Sequence, residues 1–197
     1  MQPVDPLQPT DHLDPLATPP PKTQKEYIVT ELIGWVKAII VAFIITYVVQ
    51  NFLIVNAMVP TGSMESTIMT NDRVIAFRLS YLFSDPARFD IVVFRNPNDP
   101  DLLYIKRIIG LPGETVSIQD GRVYINGEYL AQDSTFINEN FVGNWGPKTV
   151  TEDAFFVLGD NRNRSEDSRM WEDPFVPSNY LVGRAAFKYF RGFEILR

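Results

Sequence analysis

The chain has no cysteine and a single histidine, His12, among its 197 residues. Without cysteine there is no disulfide framework, no thiolate metal cluster and no thiol nucleophile. His12 lies in the stretch PVDPLQPTDHLDPLATPPP, too rich in proline and aspartate to fold around it. A Ser-His-Asp hydrolase and a histidine-ligated metal site are therefore both disfavoured. Positive charge is scarce as well. The 18 Lys and Arg residues against 24 Asp and Glu leave a net charge of -6, which argues against nucleic acid as the main partner. Charged side chains are missing altogether from Ala38 to Met64.

That uncharged run organises the reading of the chain. Residues 1–31 hold most of the clustered prolines and too few large apolar groups to offset chain entropy, so they are expected to form a disordered, Pro-rich cytoplasmic tail. Residues 32–57 are long and apolar enough to cross a bilayer, for which about 20 residues suffice, and are read as a transmembrane anchor. Val55-Asn56-Ala57 offers small residues at the positions a signal-peptide cleavage would need. The region before it, however, is long and acidic where a signal peptide starts short and basic, so a retained anchor is the better reading. Lys22, Lys25 and Lys37 precede the span, and no Lys or Arg follows it until Arg73. The positive-inside bias then leaves the N-terminus in the cytoplasm and the rest of the chain on the far side.

Residues 58–197 read as mainly β. Runs such as RVIAF, FDIVVF, LLYIKRII, TVSI, RVYI, AFFVL and LVGRAAFKYF are rich in Val, Ile, Phe and Tyr, and turn residues divide them. Asp120-Gly121 and Asn126-Gly127 are hairpin signals. A small excursion from the main sheet is expected at about 115–153, with Ala131 to Val150 polar and irregular.

Three stretches hold candidate chemistry. Gly62-Ser63, just past the anchor, is a turn in which glycine allows an unusual backbone beside a hydroxyl. A serine needs a base, and histidine is not available for that role. Lys106 lies in the apolar run Leu102 to Ile109, and by period 2 shares a face with Leu102, Tyr104 and Ile108. Desolvation on such a face lowers a lysine pKa toward the range of a usable base. Arg107 points the other way and stays charged. Lys188, in Ala185-Ala186-Phe187-Lys188-Tyr189-Phe190, has a similar apolar setting and competes with Lys106. The third stretch, Gly159 to Arg169, is a loop at a strand end, dense in hydrogen-bonding groups and suited to pairs such as Asp167 with Arg169.

Taken together, the blocks V-P-T-G-S-M (59–64), N-D-R-V (71–74), F-D-I-V-V-F-R-N-P (89–97), Y-I-K-R-I-I-G-L-P-G-E (104–114) and G-D-N-R-x-x-S-x-D-S-R (159–169) resemble type I signal peptidases over roughly residues 30–191. These are membrane-bound Ser/Lys proteases that remove signal peptides. The resemblance implies an exported β-domain of several antiparallel sheets behind a single N-terminal transmembrane helix. It implies Ser63 as nucleophile, Lys106 as general base, Thr61 with the Ser63 N–H as oxyanion hole, and Ser165 as the group orienting the lysine. Val59, Pro60, Met64, Tyr104 and Ile105 then build shallow pockets for small side chains, while Asp160, Asp167 and Arg169 give structural support. No metal or cofactor is implied. The implied partners are signal peptides of preproteins, the lipid bilayer and the secretion translocon, and the implied location is a bacterial-type cell membrane or an internal membrane such as the thylakoid. The inactive alternative is a tethered β-domain that binds peptides without cutting them. The chain departs from the family pattern at Ser66, where proline is usual, at Asn163-Arg164, where Asp-Asn is usual, and at Asn71, where glycine is common.

Overall fold

The computed structural model describes residues 23–137, 139, 141–190 and 192–196. The expected disordered tail falls, through residue 22, outside the described residues. The helix α1 (Gln24–Val48) begins earlier than the expected anchor boundary at residue 32. A capping box explains the difference. The Thr23 N–H donates to Glu26 Oε2 at 2.8 Å and the Glu26 N–H to Thr23 Oγ1 at 3.4 Å, which satisfies two donors that a helix start leaves open. Residues 24–31 are therefore helical rather than tail. At the other end the backbone widens into a π-turn over Val49–Leu53, where the Asn51 amide donates to the Tyr47 carbonyl at 2.8 Å. Gln24–Leu53 is the one helix among the described residues long and apolar enough to cross a bilayer.

The chain divides into two compact units at Ile44/Ile45, and every strand among the described residues belongs to the second. Residues 54–57, expected to close the anchor, belong to a strand instead. β1 (Ile54–Met58) pairs antiparallel with β2 (Arg73–Phe77). Its β-branched Ile54 and Val55 suit the pleat, and Val55 is buried while Asn56 is exposed. A one-turn helix, α2 (Ser80–Phe83), comes after β2. Next come β3 (Ile91–Asn96), β4 (Asp99–Gly110), β5 (Thr115–Gln119), β6 (Arg122–Ile125), β7 (Glu128–Tyr129), β8 (Trp145–Thr149), β9 (Ala154–Leu158), β10 (Val176–Pro177), β11 (Leu181–Tyr189) and β12 (Glu194–Ile195). The larger sheet runs β1-β2-β11-β3-β4-β9-β10, with β12 beside β11. The smaller runs β7-β6-β5-β8. The architecture is thus mainly β, with antiparallel sheets and one N-terminal apolar helix.

Local chemistry accounts for the small sheet. Asp120 and Gly121 have φ of 48° and 77°, and Asn126 and Gly127 have 52° and 86°, the paired positive values that two-residue hairpins require. Within Ala131 to Val150, read as irregular, β8 pairs with β5. It lies at an edge, where Pro147 removes no interior ladder bond.

Strand β3 is buried on both faces. Ile91 and Val93 join a cluster with Val59, Met64, Ile68 and Ile105, while Val92 and Phe94 join another with Ile108, Val157 and Trp171. A third cluster, with Val116, Ile118, Phe156 and Leu158, lies where the small sheet meets β9. The register Val92↔Lys106 and Val93↔Ile105 fixes β4 against this two-faced strand, so the middle of β4 is in the interior.

Candidate active site

Ser63 lies on a compact turn between β1 and β2 and is 6% exposed. Hydrogen bonds from the Glu65 N–H to the Gly62 carbonyl (3.1 Å) and from the Ile68 N–H to the Met64 carbonyl (2.8 Å) build the turn. Gly62 is not in a left-handed conformation. A Cβ there would meet only the end of the Glu65 side chain, 2.7 Å away at its carboxyl carbon, and that side chain can swing aside, so the turn does not depend on glycine at this position. Ser66 has φ 92°, which the proline ring usual in relatives cannot adopt. Its hydroxyl donates to the Phe136 carbonyl at 3.0 Å, so the turn is tied down rather than relaxed. Asn71, at φ 69°, is the residue type that best replaces glycine in that region.

The loop after β9 closes on this turn. The Asn161 N–H donates to the Ser63 carbonyl (3.1 Å) and the Asn161 side-chain amide to the Gly62 carbonyl (3.0 Å). At Gly159 any side chain would collide with the Ser63 carbonyl oxygen and with Ser165. The Ser63 segment is therefore held from behind by backbone contact that only glycine permits.

Lys106, 4% exposed, projects from β4 into the same place. Its Nζ donates to Ser63 Oγ at 2.8 Å and to the Ile105 carbonyl at 3.1 Å, and lies 5.2 Å from the centre of the Tyr104 ring. Burial pushes the Lys106 pKa down to about 8, against the pull of the negative charges of Asp167, Glu166 and Asp160. Both of its contacting oxygens are neutral, so nothing in contact with the amine locks it in the charged form.

Thr61 Oγ1 stands 3.5 Å from Ser63 Oγ. Val59, Pro60, Thr61, Ser63, Tyr104, Ile105 and Lys106 line one cleft of about 450 Å³. Met64 does not line it. The tight turn from Met64 to Ile68 carries its side chain inward, where it is fully buried with Val55, Val59 and Ile68. The expected bond from Ser165 to the lysine is also absent here. Ser165 Oγ is buried without a hydrogen-bond partner, because it turns toward Gly159 while the amine is engaged by Ser63 and Ile105.

Behind the cleft lie three carboxylate–arginine pairs. Asp160 accepts from Arg107 Nε (2.9 Å) and Nη2 (2.7 Å) with both side chains fully buried, and also from Thr67 Oγ1 at 2.5 Å. Asp167 accepts from Arg169 (2.7 Å) and from the Gly159 N–H (3.1 Å). Asp133 pairs with Arg162 at 2.5 Å, and Arg162 Nε donates to the Gly159 carbonyl at 3.0 Å. The loop after β9 thus turns a buried ionic frame of Asp160, Arg162 and Asp167 inward, while Asn163, Arg164 and Glu166 are exposed. Sequence reasoning does not single out Asp133, Arg162 or Asn161. The first two are 29 residues apart, and no periodicity connects them.

Residues 32–190 match the family described as "Signal peptidase, peptidase S26". The chain is similar to "Signal peptidase I" of Leptolyngbya laminosa, at 38% identity over 87% of each chain. It is also similar to "Probable signal peptidase I-2" of Synechocystis sp., at 41% identity over 78% of this chain and 71% of that one. A third relative is "Signal peptidase I" of Bacillus amyloliquefaciens, at 36% identity over 88% of this chain and 95% of that one. The chain belongs to the signal peptidase family of peptidases.

Proposed function

We propose that this protein is a membrane-anchored serine endopeptidase that cleaves N-terminal signal peptides from exported preproteins after small residues. The observation that carries the proposal is the 2.8 Å bond from Lys106 Nζ to Ser63 Oγ, buried at the base of an apolar cleft. A lysine whose pKa is about 8 is neutral in roughly a tenth of molecules at pH 7. Neutral Lys106 accepts the Ser63 proton as Oγ attacks the scissile carbonyl, and the ammonium formed returns that proton to the leaving amine. The Thr61 hydroxyl and the Ser63 N–H stabilise the oxyanion. Water, activated by the same lysine, then hydrolyses the acyl-enzyme. Once Lys106 releases Ser63, the unpaired Ser165 hydroxyl is available to hold the amine.

The walls of the cleft suit an extended peptide. β1 is the last strand of its sheet, and β4 pairs with β9 only over Arg107–Gly110, so the ladder groups of Ala57–Met58 and of Leu102–Ile105 each have one open side. The apolar lining from Val59, Pro60, Tyr104 and Ile105 favours small uncharged side chains. Placing Ser63 only ten residues after Leu53, where the apolar helix ends, keeps the nucleophile near substrates whose own apolar stretch is in the bilayer. The lysines before the span favour an N-terminus in the cytoplasm and a catalytic domain across a cell membrane or thylakoid-type membrane, a side on which it would meet preproteins leaving the secretion translocon.

The test is processing of a model preprotein by the full chain in vesicles, with the new N-terminus of the product sequenced. Ser63→Ala and Lys106→Ala should each abolish cleavage while the fold is retained. Appreciable processing by either variant would sink the dyad, whereas no cleavage by wild type together with failure of a serine-directed acylating inhibitor to label Ser63 would leave a peptide-binding domain without catalysis.

A further inference from the structure

Three side chains lining the cleft carry charge: Lys106, Arg164 and Glu166. Lys106 is buried and bonded to Ser63. Arg164 and Glu166 are both exposed, and neither has an ion-pair partner among the described residues. The backbone explains how they come to be there. Ser165 between them is extended, with φ -113° and ψ 123°, and in extended chain alternate side chains point to opposite sides. Since Ser165 turns inward against Gly159, its two neighbours turn outward into the cleft. Glu166 is close enough to β4 to act electrostatically on both the Lys106 amine and the Tyr104 phenol.

The rest of the lining gains nothing from this pair. Small apolar side chains are bound by apolar walls, whereas an unpaired charge loses solvation when a peptide covers it unless the peptide brings a counter-charge. We infer that Arg164 and Glu166 are specificity-determining residues that read the charge of the substrate residues beside the scissile bond. Glu166 favours a lysine or arginine and rejects an aspartate or glutamate at the position it faces. Arg164 does the reverse at the position it faces. The inference rests on the endopeptidase reading of the cleft.

The experiment uses the full chain in vesicles and a preprotein series with Lys, Ala or Glu placed in turn at each of the residues flanking the cut. The quantity read is the ratio of kcat/KM for the Lys and Glu versions at each position. For wild type, one position should show a Lys preference of about two- to fivefold, the range of an exposed ion pair. Glu166→Gln should bring that ratio to about one, and Glu166→Lys should invert it. Arg164→Gln and Arg164→Glu should do the same to a Glu preference at a second position. Folded variants that change kcat/KM by one common factor for Lys, Ala and Glu substrates would overturn the inference, because that pattern is what an effect on Lys106 alone would give. A wild-type ratio of one at every position would overturn it too. No cleavage of any substrate by wild type would instead remove the endopeptidase reading itself, so the two failures are told apart.

Discussion

Two lysines occupy matching sites in neighbouring parts of the large sheet, and their fates differ. Lys106 on β4 and Lys188 on β11 both interrupt aromatic and aliphatic strand sequence, and period-2 reasoning gives them similar surroundings. In the fold, Lys188 Nζ donates to the Thr67 carbonyl at 2.7 Å and pairs with Glu194 of β12 at 2.9 Å. Lys106 has only a hydroxyl and a carbonyl in contact. Lys188 thus has a carboxylate in contact, whereas burial among neutral oxygens drives Lys106 toward the free amine. What sets the two lysines apart is the carboxylate that β12 places beside one and that the other lacks in contact.

The sharpest way to break this comparison is to remove each amine in turn. Lys106→Ala should lower kcat by about 10³-fold or more, within the range expected for loss of a general base. Lys188→Ala should leave most of the activity, with a loss of about 1 kcal/mol of stability from its two hydrogen bonds, read by preprotein processing and by thermal unfolding. Comparable loss of activity in the two variants would erase the distinction. Next in size is the frame behind Lys106. Asp160→Ala leaves Arg107 buried without its carboxylate and should cost about 3–5 kcal/mol, measured by denaturant unfolding. A cost near 1 kcal/mol would mean that the pair is hydrated rather than enclosed.

The pH dependence is smaller but more direct. With a Lys106 pKa of about 8, kcat/KM should rise about tenfold per pH unit below 8 and level off above it. A profile that is flat from pH 6 to 9 contradicts a titrating Lys106. The smallest effect concerns stability. Lys106 is harder to protonate in the folded chain (pKa about 8) than at its ordinary value of 10.5, so its charge destabilises the fold in full below pH 8. That penalty fades as pH rises through 8 toward 10.5. Lys106→Met should therefore be more stable than wild type at pH 7, by on the order of 1–3 kcal/mol, and the gain should disappear near pH 10.5. No gain at pH 7 would show that lost packing and the abandoned Ser63 hydroxyl outweigh desolvation.

Much of the architecture was legible because its signals are local. Short runs rich in Val, Ile, Phe and Tyr mark β2, β3, β5, β6 and β9, and Asp-Gly and Asn-Gly mark the two hairpins. Ser63 and Lys106 stand out as candidates by residue type and strand setting, and the roles proposed for them come from the resemblance. Other features depend on contacts that only the fold creates. β1 was hidden inside an apolar run continuous with the helix, and β8 reads as a loop because edge position, not composition, makes Gly146 and Pro147 acceptable there. The early start of α1 was in principle visible, since Thr23 and Glu26 have capping-box spacing. The Asp133–Arg162 pair joins an irregular segment to a strand-end loop, and nothing in either stretch names the other. Met64 is adjacent to the nucleophile in sequence, but the Met64 to Ile68 turn carries it into the core.

The order of strands in the large sheet has a consequence for timing. β11, made of Leu181–Tyr189, is inserted between β2 and β3, so the strand that follows Ser63 cannot join the strand next to that of Lys106 until residues 181–189 are in place. Contacts this distant in sequence form late and slowly. A growing chain carries Ser63 and Lys106 long before it can hold them 2.8 Å apart, and so emerges as a latent protease. On the proposed mechanism it becomes competent only when Leu181–Tyr189 has paired, and a truncation before Leu181 should leave both residues present and the protein inert.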